Sequence, residues 1–569
     1  MVLGLNKSGF FYLGIAESED AIYFCKNMRH YTRHWSNWQK LLVGLLVLGV
    51  FLRFFNIDRQ VYWYDETMTS LRISGHTEEE LMQEVYTGEP ITVGELHQQY
   101  QYPNPTEDWQ AVFEALGKHS EHSPLYYVLA RWWHQIFGNS VAILRTLSAL
   151  LGVLVLPGVY WLGRELFANQ TVPWVATALV AISPFHVLYA KEAREYSLWT
   201  LSIVLSSAAL LRALRLHRDR ASQEKTSPTP SRTKLGWAWV LYALLVALAF
   251  YAHPFSGLVV LGHGIFVVVT ESPSRKQGWQ RIGVAFVAAV TGLVLFLPWM
   301  LVMVDNFSTI AQNTISTSIP RPNLHLIWGL NLSRIFFDVN QGTSPLNPIL
   351  YLLIALTVYA IYYVCRHAPP RTWIFLITLM GVLGLALLVP DVVAGGRRSS
   401  ITRYGIPSYL GIQLAVSYLL TYKITQAKKY SRLYRRWRTI GLALVFVGVV
   451  SCFVASFVPV WWHKSYAKSR HHPELSAIIN SASQPVVLSN DTVGMVLSLT
   501  HLLRDDVTWQ LFVDQNFPQI PARYQDVFAY RFSDEDIAQF ERQTNSKLVE
   551  AFEEGWLWKQ QPASRSEEN

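Results

Sequence analysis

EHSPLYYVLARWWHQIFGNSVAILRTLSALLGVLVLPGVYWLGRELF, residues 121 to 167, decides how the whole chain is organised. Its second half, about 142 to 163, is an apolar run long enough to cross a hydrocarbon core of about 30 Å. Its first half, SPLYYVLARWWHQIFG (123 to 138), is nearly as apolar but shorter, and carries Arg131 and His134. If that half also spanned, every later loop rich in Lys and Arg would lie outside the cell, against the rule that keeps such loops in the cytoplasm. It therefore reads as an interfacial helix within a long first external loop, about 58 to 141.

The same reasoning, carried outward, predicts eleven membrane helices at about 41–57, 142–163, 171–190, 196–216, 235–252, 255–270, 282–304, 347–365, 373–390, 404–422 and 439–460. Basic residues collect on one side: Lys26, Arg29, Arg33 and Lys40 in the tail, Arg212 to Lys234 in one loop, and Lys423 to Arg438 in another. That side is the cytoplasm, so the predicted division is a cytoplasmic tail (1–40), a membrane domain (41–460) and an extracytoplasmic C-terminal domain (461–569). A polar stretch of about forty residues precedes the first apolar segment, which is expected to be an uncleaved anchor. The stretch ASQEKTSPTPSRTK (221 to 234) reads as a cytoplasmic linker. After 461, strands at PVVLS (485–489) and VTWQLFV (507–513), a helical run from Thr492 to Leu503 and a helix introduced by Ser533 predict a small α/β domain.

Composition agrees with a polytopic α-helical membrane protein. Of 569 residues only 15% are charged and 51% are hydrophobic, whereas a soluble domain is about 25% charged. An ordinary soluble enzyme is excluded. Aromatic residues, 14% of the chain, suit membrane interfaces. The net charge of +8 sits in short loops, where membrane orientation accounts for it, and nucleic acid is not an expected partner. Cys25, Cys365 and Cys452 are too scattered for a disulfide framework or a zinc pattern.

The first external loop opens with VYWYDETMTS, placing Asp65 and Glu66 among aromatics at the membrane surface. Adjacent carboxylates do not share a helix or strand face, so one can accept a proton while the other orients it or binds substrate. The plainer reading is a solvated juxtamembrane turn. The same side carries Arg145, Lys191 and Arg194 (in YAKEAREY), and Arg397, Arg398 and Arg403 (in GGRRSSITRY), the last cluster against the positive-inside trend. Arginines suit phosphate recognition; pairing with Glu192, Glu195 or lipid headgroups is the alternative. Carboxylates facing a phosphate site match transfer from a lipid phosphate, which needs a base for the acceptor hydroxyl and positive charge for the departing phosphate. Tyr62, Trp63 and Tyr64 suit either sugar stacking or an interfacial belt. His253, His263, Asp305 and Asp391, at or near helix ends, are read as structural.

Residues 121–167, followed by SPFHVLYAKEAREYSL at 183–198, resemble the membrane core of glycosyltransferase family 39, which includes protein O-mannosyltransferases, lipid A aminoarabinose transferases and lipopolysaccharide galacturonosyltransferases. The resemblance spans about residues 40 to 300. It implies the membrane-embedded C-class glycosyltransferase fold, a polyprenyl-phosphate sugar donor, an envelope lipid, glycan or protein acceptor, and action at the outer face of a prokaryotic plasma (inner) membrane. It assigns Asp65 as general base beside Glu66, and Arg145, Glu192, Arg194 and Tyr196 to substrate binding. Where relatives have a His-Pro-Pro or Lys-Pro pair, this chain has His122, Ser123 and Pro124; no lysine carries over, and a protonated His122 is the candidate substitute. Arg398 and Arg403 are further phosphate candidates. No cofactor or divalent metal is expected, since arginines can neutralise phosphate. The alternatives are a lipid-linked glycan transporter or flippase, for which no broken helix or inverted repeat is apparent, a non-catalytic membrane scaffold, and a ligase that transfers a preassembled glycan.

Overall fold

The structure is a computed structural model that describes residues 36–103, 108–221, 231–271, 276–464, 466–514 and 517–561, with two dipeptide strands, Gly4–Leu5 and Phe11–Tyr12. The predicted tail cations Lys26, Arg29 and Arg33, with Cys25, Glu107 and linker residues 222–230, lie outside the described residues. Among the described residues eight helices are long and apolar enough to cross a bilayer, or nine if one bent pair counts as a span. The chain is a multi-pass membrane protein. The two other segments predicted to span are helices of a different kind. Ser256–Thr270 has 15 residues, and Ile406–Gln426 buries Gln413, Ser417 and Thr421 inside the bundle, polar groups that lower its apolarity.

The expected single span at 171–190 is broken, Thr171–Ala181 and Pro184–Ala190 meeting at 58°. Proline has no backbone N–H and interrupts the ladder. The guanidinium of Arg53, buried in the bundle, donates to the carbonyls of Ala181 at 2.8 Å and Val180 at 3.3 Å beside this break. The bend sends the chain directly into residues 191–195. Close approach follows from small residues: a Cβ on Gly152 of the Val141–Leu166 helix would lie 2.9 Å from Ala190.

The interfacial segment is the helix Leu125–Phe137, whose 13 residues reach only about 20 Å. It buries Tyr126, Tyr127, Ala130, Arg131 and His134 and exposes Trp132, Ile136 and Phe137.

The C-terminal strands form a six-stranded mixed sheet in the order Thr87–Thr92, Thr508–Phe512, Pro485–Ser489, Asp526–Tyr530, Leu557–Gln561, Lys547–Phe552. The edge strand Thr87–Thr92 comes from the first long loop, so this sheet is not built from residues after 461 alone. The three central strands are parallel and almost wholly buried, as expected where both faces are covered. Side chains alternate between faces with period two. Val486, Leu488 and Val527 pack against Phe540 on one face. Val487, Trp509, Leu511 and Phe528 pack on the other in a cluster that includes Met68 and Leu71. Those two residues belong to the helix Tyr64–Ile73, which carries Asp65.

Candidate active site

Asp65 and Glu66 occupy the first turn of the Tyr64–Ile73 helix and point to different environments. Asp65 lines a cavity of about 1190 Å³, shared with His122, Arg194 and Arg403. Its Oδ2 lies 3.2 Å from an Arg403 guanidinium nitrogen, both side chains about one-fifth exposed. Arg194, in the link after the broken helix, donates to the Asp65 carbonyl at 3.2 Å and contacts Thr69 Oγ1 at 3.4 Å. Its charge is met by Glu195, Nε to Oε2 3.2 Å. The Tyr196 ring lies beside both guanidinium groups, 5.9 Å from Arg194 and 5.5 Å from Arg403, so it orients them and does not itself line the cavity.

Glu66 departs from the catalytic role expected of it. It is completely buried, and its oxygens accept from Arg145 Nε (2.8 Å) and Nη2 (2.7 Å), Lys464 Nζ (2.7 Å) and the Ala193 amide (2.9 Å). Burial pushes its carboxyl upward, but the charges and hydrogen bonds of Arg145 and Lys464 prevail and bring it to about 2. Glu66 ties the Asp65 helix to residue 193 and to the segment after the last membrane helix.

Arg145 likewise departs from the phosphate-binding role. Besides Glu66, it donates to the carbonyls of Ile57 (3.0 Å), Gln60 (2.8 Å) and Val61 (2.8 Å). All five of its N–H groups are then committed, and none remains for a ligand. Glu192 is buried behind the cavity, accepting from Trp63 Nε1 at 3.3 Å. Burial, with Glu66 and Asp65 nearby, raises it to about 7 against the pull of Lys464 and Arg403.

His122 reaches the cavity, with Nδ1 3.1 Å from Glu195. Burial and then Arg194 lower its pKa, against the pull of Glu195. Arg398 turns away to Asp391, 3.5 Å, and Ser318, 2.5 Å. Its neighbour Arg397 lines the cavity instead. Trp63 and Tyr64 line the cavity, whereas Tyr62 is buried with its hydroxyl 2.7 Å from Ser70. His253, stacked on Trp199 at 4.1 Å, His263, hydrogen-bonded to Ser207, and Asp391, which caps Ser399, have packing partners outside the cavity lining.

Sequence reasoning missed the part played by residues 461–470. Lys464 completes the Glu66 cluster, Lys468 stands 3.4 Å over the Tyr64 ring, and Trp462, Lys468 and Arg470 line the cavity. The signal was present, since these cations follow the last span on the side predicted to be external. Among the described residues no three His, Cys, Asp or Glu side chains are grouped to hold a metal ion.

The architecture is similar to that of ArnT from Cupriavidus metallidurans. Its apo crystal structure matches with TM-score 0.53 at 12% identity, over 92% of this chain and 98% of that one. The crystal structure bound to undecaprenyl phosphate gives TM-score 0.52 at 13% identity over the same shares. An oligosaccharyltransferase from Archaeoglobus fulgidus, tethered with an acceptor peptide, matches at TM-score 0.45 and 12% identity over 83% of this chain and 64% of that one. No family model matches the chain, and no curated protein does. The likeness to ArnT shows the fold, that of the membrane-embedded C class of glycosyltransferases.

Proposed function

We propose that this chain is a glycosyltransferase that moves a sugar from a polyprenyl-phosphate-sugar donor to an envelope lipid, glycan or protein acceptor at the outer face of the plasma membrane, its N-terminus cytoplasmic and residues 461–569 extracytoplasmic. The observation that carries this reading is Asp65 in a large cavity, paired with Arg403 and close to Arg194. ArnT bound to undecaprenyl phosphate supports the choice of carrier lipid.

In this reading Asp65 takes the acceptor hydroxyl proton as its oxygen attacks the anomeric carbon. The bond from that carbon to the phosphate oxygen breaks, and the electron pair leaves on the polyprenyl phosphate, held by Arg403 and Arg194. One displacement inverts the anomeric configuration. The Asp65–Arg403 pair lies at the cavity wall; a donor phosphate that engages Arg403 releases Asp65 to act as base. The arginines supply the charge without a divalent cation.

The test is transfer of radiolabelled sugar from a panel of polyprenyl-phosphate sugars, in membranes holding the wild type or Asp65→Asn, with host envelope extract as acceptor. Label in the wild type and a loss of about 10²- to 10⁴-fold in Asp65→Asn support the reading; equal label removes Asp65 as base. The bent pair at 181–184 is a feature that a lipid-linked glycan flippase would share. That reading expects lipid translocation with no sugar transfer from any donor, and a non-catalytic scaffold expects neither.

A further inference from the structure

Two cavities adjoin each other at the end of the bundle away from Asp65. The helix Val141–Leu166 relates the two ends: Arg145, bonded to Glu66, stands near its start, and Arg164 lies about 28 Å further along its axis. The first cavity, about 740 Å³, is lined by Tyr160, Arg164, Glu165, Gln170, Arg212 and Arg215. Arg212 and Arg215 are three apart on the helix Tyr196–Ala221 and so share a face. Both turn to Glu165: Arg215 donates from Nε at 2.8 Å and from Nη2 at 3.0 Å, and Arg212 Nη1 stands 3.6 Å away. Among the described residues Arg164 has no carboxylate partner, its Nη1 donating to the Tyr160 hydroxyl at 3.3 Å. Three guanidinium groups therefore line a pocket that holds one carboxylate.

The second cavity, about 630 Å³, opens between the helices Asn37–Phe54, Thr171–Ala181, Ile406–Gln426 and Arg432–Phe457. Its wall is apolar, with Leu42, Leu45, Leu179, Ile424 and Val445. Gly441 also lines it, and a Cβ there would meet nothing within 4 Å, so the space beside that residue is open. The two cavities are joined in two ways. Gln170 lines both, and the ring of Tyr160, in the first, packs 4.7 Å from that of Trp174, in the second.

A cationic pocket alone would serve any small anion, and an apolar groove alone any hydrocarbon. Joined, they match an amphiphile with a negative head and a long chain. Guanidinium groups suit phosphate oxygens, and basic pockets between membrane helices recognise acidic lipid headgroups. Phospholipid is also the solvent of this surface, so any other amphiphile must compete with it. We infer that Arg164, Arg212 and Arg215, with the groove beside Gly441, form a site for one anionic phospholipid of the leaflet opposite Asp65, its phosphate on the arginines and an acyl chain between the four helices. This site shares no lining residue with the Asp65 cavity and does not depend on the transferase reading.

The test is lipid titration of the full chain in a neutral maltoside detergent, with bound lipid counted by native mass spectrometry. Dioleoyl phosphatidylglycerol is expected to bind the wild type about tenfold more tightly than dioleoyl phosphatidylcholine, and Arg164→Gln/Arg212→Gln to lose that preference. Gly441→Phe changes no charge but fills the groove, and is expected to weaken phosphatidylglycerol by about tenfold as well. Arg232→Gln/Lys234→Gln removes as much charge from exposed positions that line neither cavity, and is expected to bind like the wild type. Equal affinity for the two lipids overturns the inference, as does equal weakening in the Arg232/Lys234 variant, which would reduce the effect to diffuse positive charge. Weakening by the arginine variant but not by Gly441→Phe would separate the pocket from the groove and also overturn it. Farnesyl phosphate that displaces phosphatidylglycerol at equal concentration would assign the site to a carrier lipid instead. Arg164 and Arg212 are solvent-accessible, so their variant keeps the test decisive if Gly441→Phe fails to fold.

Discussion

Replacing Glu66 by Gln separates holding the site together from doing its chemistry. The substitution keeps size but leaves Arg145 and Lys464, both wholly buried, without the carboxylate between them. Breaking a buried ion pair from one side costs about 3–5 kcal/mol. Proton linkage gives a similar figure: a carboxyl lowered from 4.5 to about 2 stabilises the fold by about 3 kcal/mol. Because the folded value is the lower one, that stability is complete above about pH 4.5 and is lost as the pH falls toward about 2. Thermal unfolding in detergent should show Glu66→Gln melting several degrees below the wild type at pH 7, the gap closing as the buffer is acidified. Asp65→Asn, next in the chain, should melt with the wild type and lose transfer. Lys464→Met removes one of the two cations facing a single carboxylate and should be milder; combined with Glu66→Gln it should recover part of the loss, since the two residues touch. A Glu66→Gln protein with wild-type melting and no transfer would refute this reasoning and return Glu66 to the chemistry.

Arg403→Gln should lower kcat about 10²- to 10³-fold with a smaller change in KM, measured with a donor that supports turnover; a KM effect alone would limit Arg403 to ground-state binding. Gly494→Leu should lower both melting temperature and activity, because even a Cβ there would sit 2.4 Å from the Tyr64 ring on the helix that carries Asp65. The carboxyl of Glu192 is raised to about 7, so its ionisation opposes folding: stability should fall as pH rises from about 4.5 to about 7 and then level, and Glu192→Gln should flatten that part of a melting-temperature profile. Dialysis against EDTA should leave sugar transfer unchanged; loss restored by a divalent cation would overturn the metal-independent reading.

What could be read from residues and what could not divides along physical lines. Apolar length and basic loops are local properties, so each predicted membrane segment but the broken one at 171–190 is a helix, with ends within about seven residues of those predicted. The break at Ser183–Pro184 escaped because apolarity runs through it unchanged; only the proline marks it, and its partner Arg53 lies more than a hundred residues away. Asp65, Arg194 and Arg403 do share one cavity, as their charge on a single side of the membrane suggested. Charge cannot tell a ligand-binding arginine from one already satisfied, and Arg145 is of the second kind in this structure. Its five donors are spent on the 57–66 segment, an arrangement that exists only once both chain segments are folded together.

The same logic explains why the segment after the last span reads from sequence as a separate C-terminal domain. A lysine in solvent and a lysine buried against Glu66 look alike in a sequence, and Lys464 differs from Lys468 only in what the fold brings to it. The sheet is the reason they meet. Its edge strand Thr87–Thr92 and the helix Tyr64–Ile73 both come from the first loop, while Ser498 donates to the Tyr62 carbonyl at 2.8 Å and the Val61 amide to Pro459 at 2.9 Å. The turn that bears Asp65 is thereby held between the membrane bundle, through Arg145, and the segments after the last span, through Lys464 in the turn Trp462–Lys464 and Gly494 in the helix Val493–Thr500. Removing residues 461–569 would therefore expose the apolar face of the Asp65 helix and leave Glu66 with one cation instead of two, so truncation should abolish transfer even though Asp65, Arg194 and Arg403 all lie before residue 461. A truncated chain that still transferred sugar would show that the membrane bundle alone sets the geometry of Asp65.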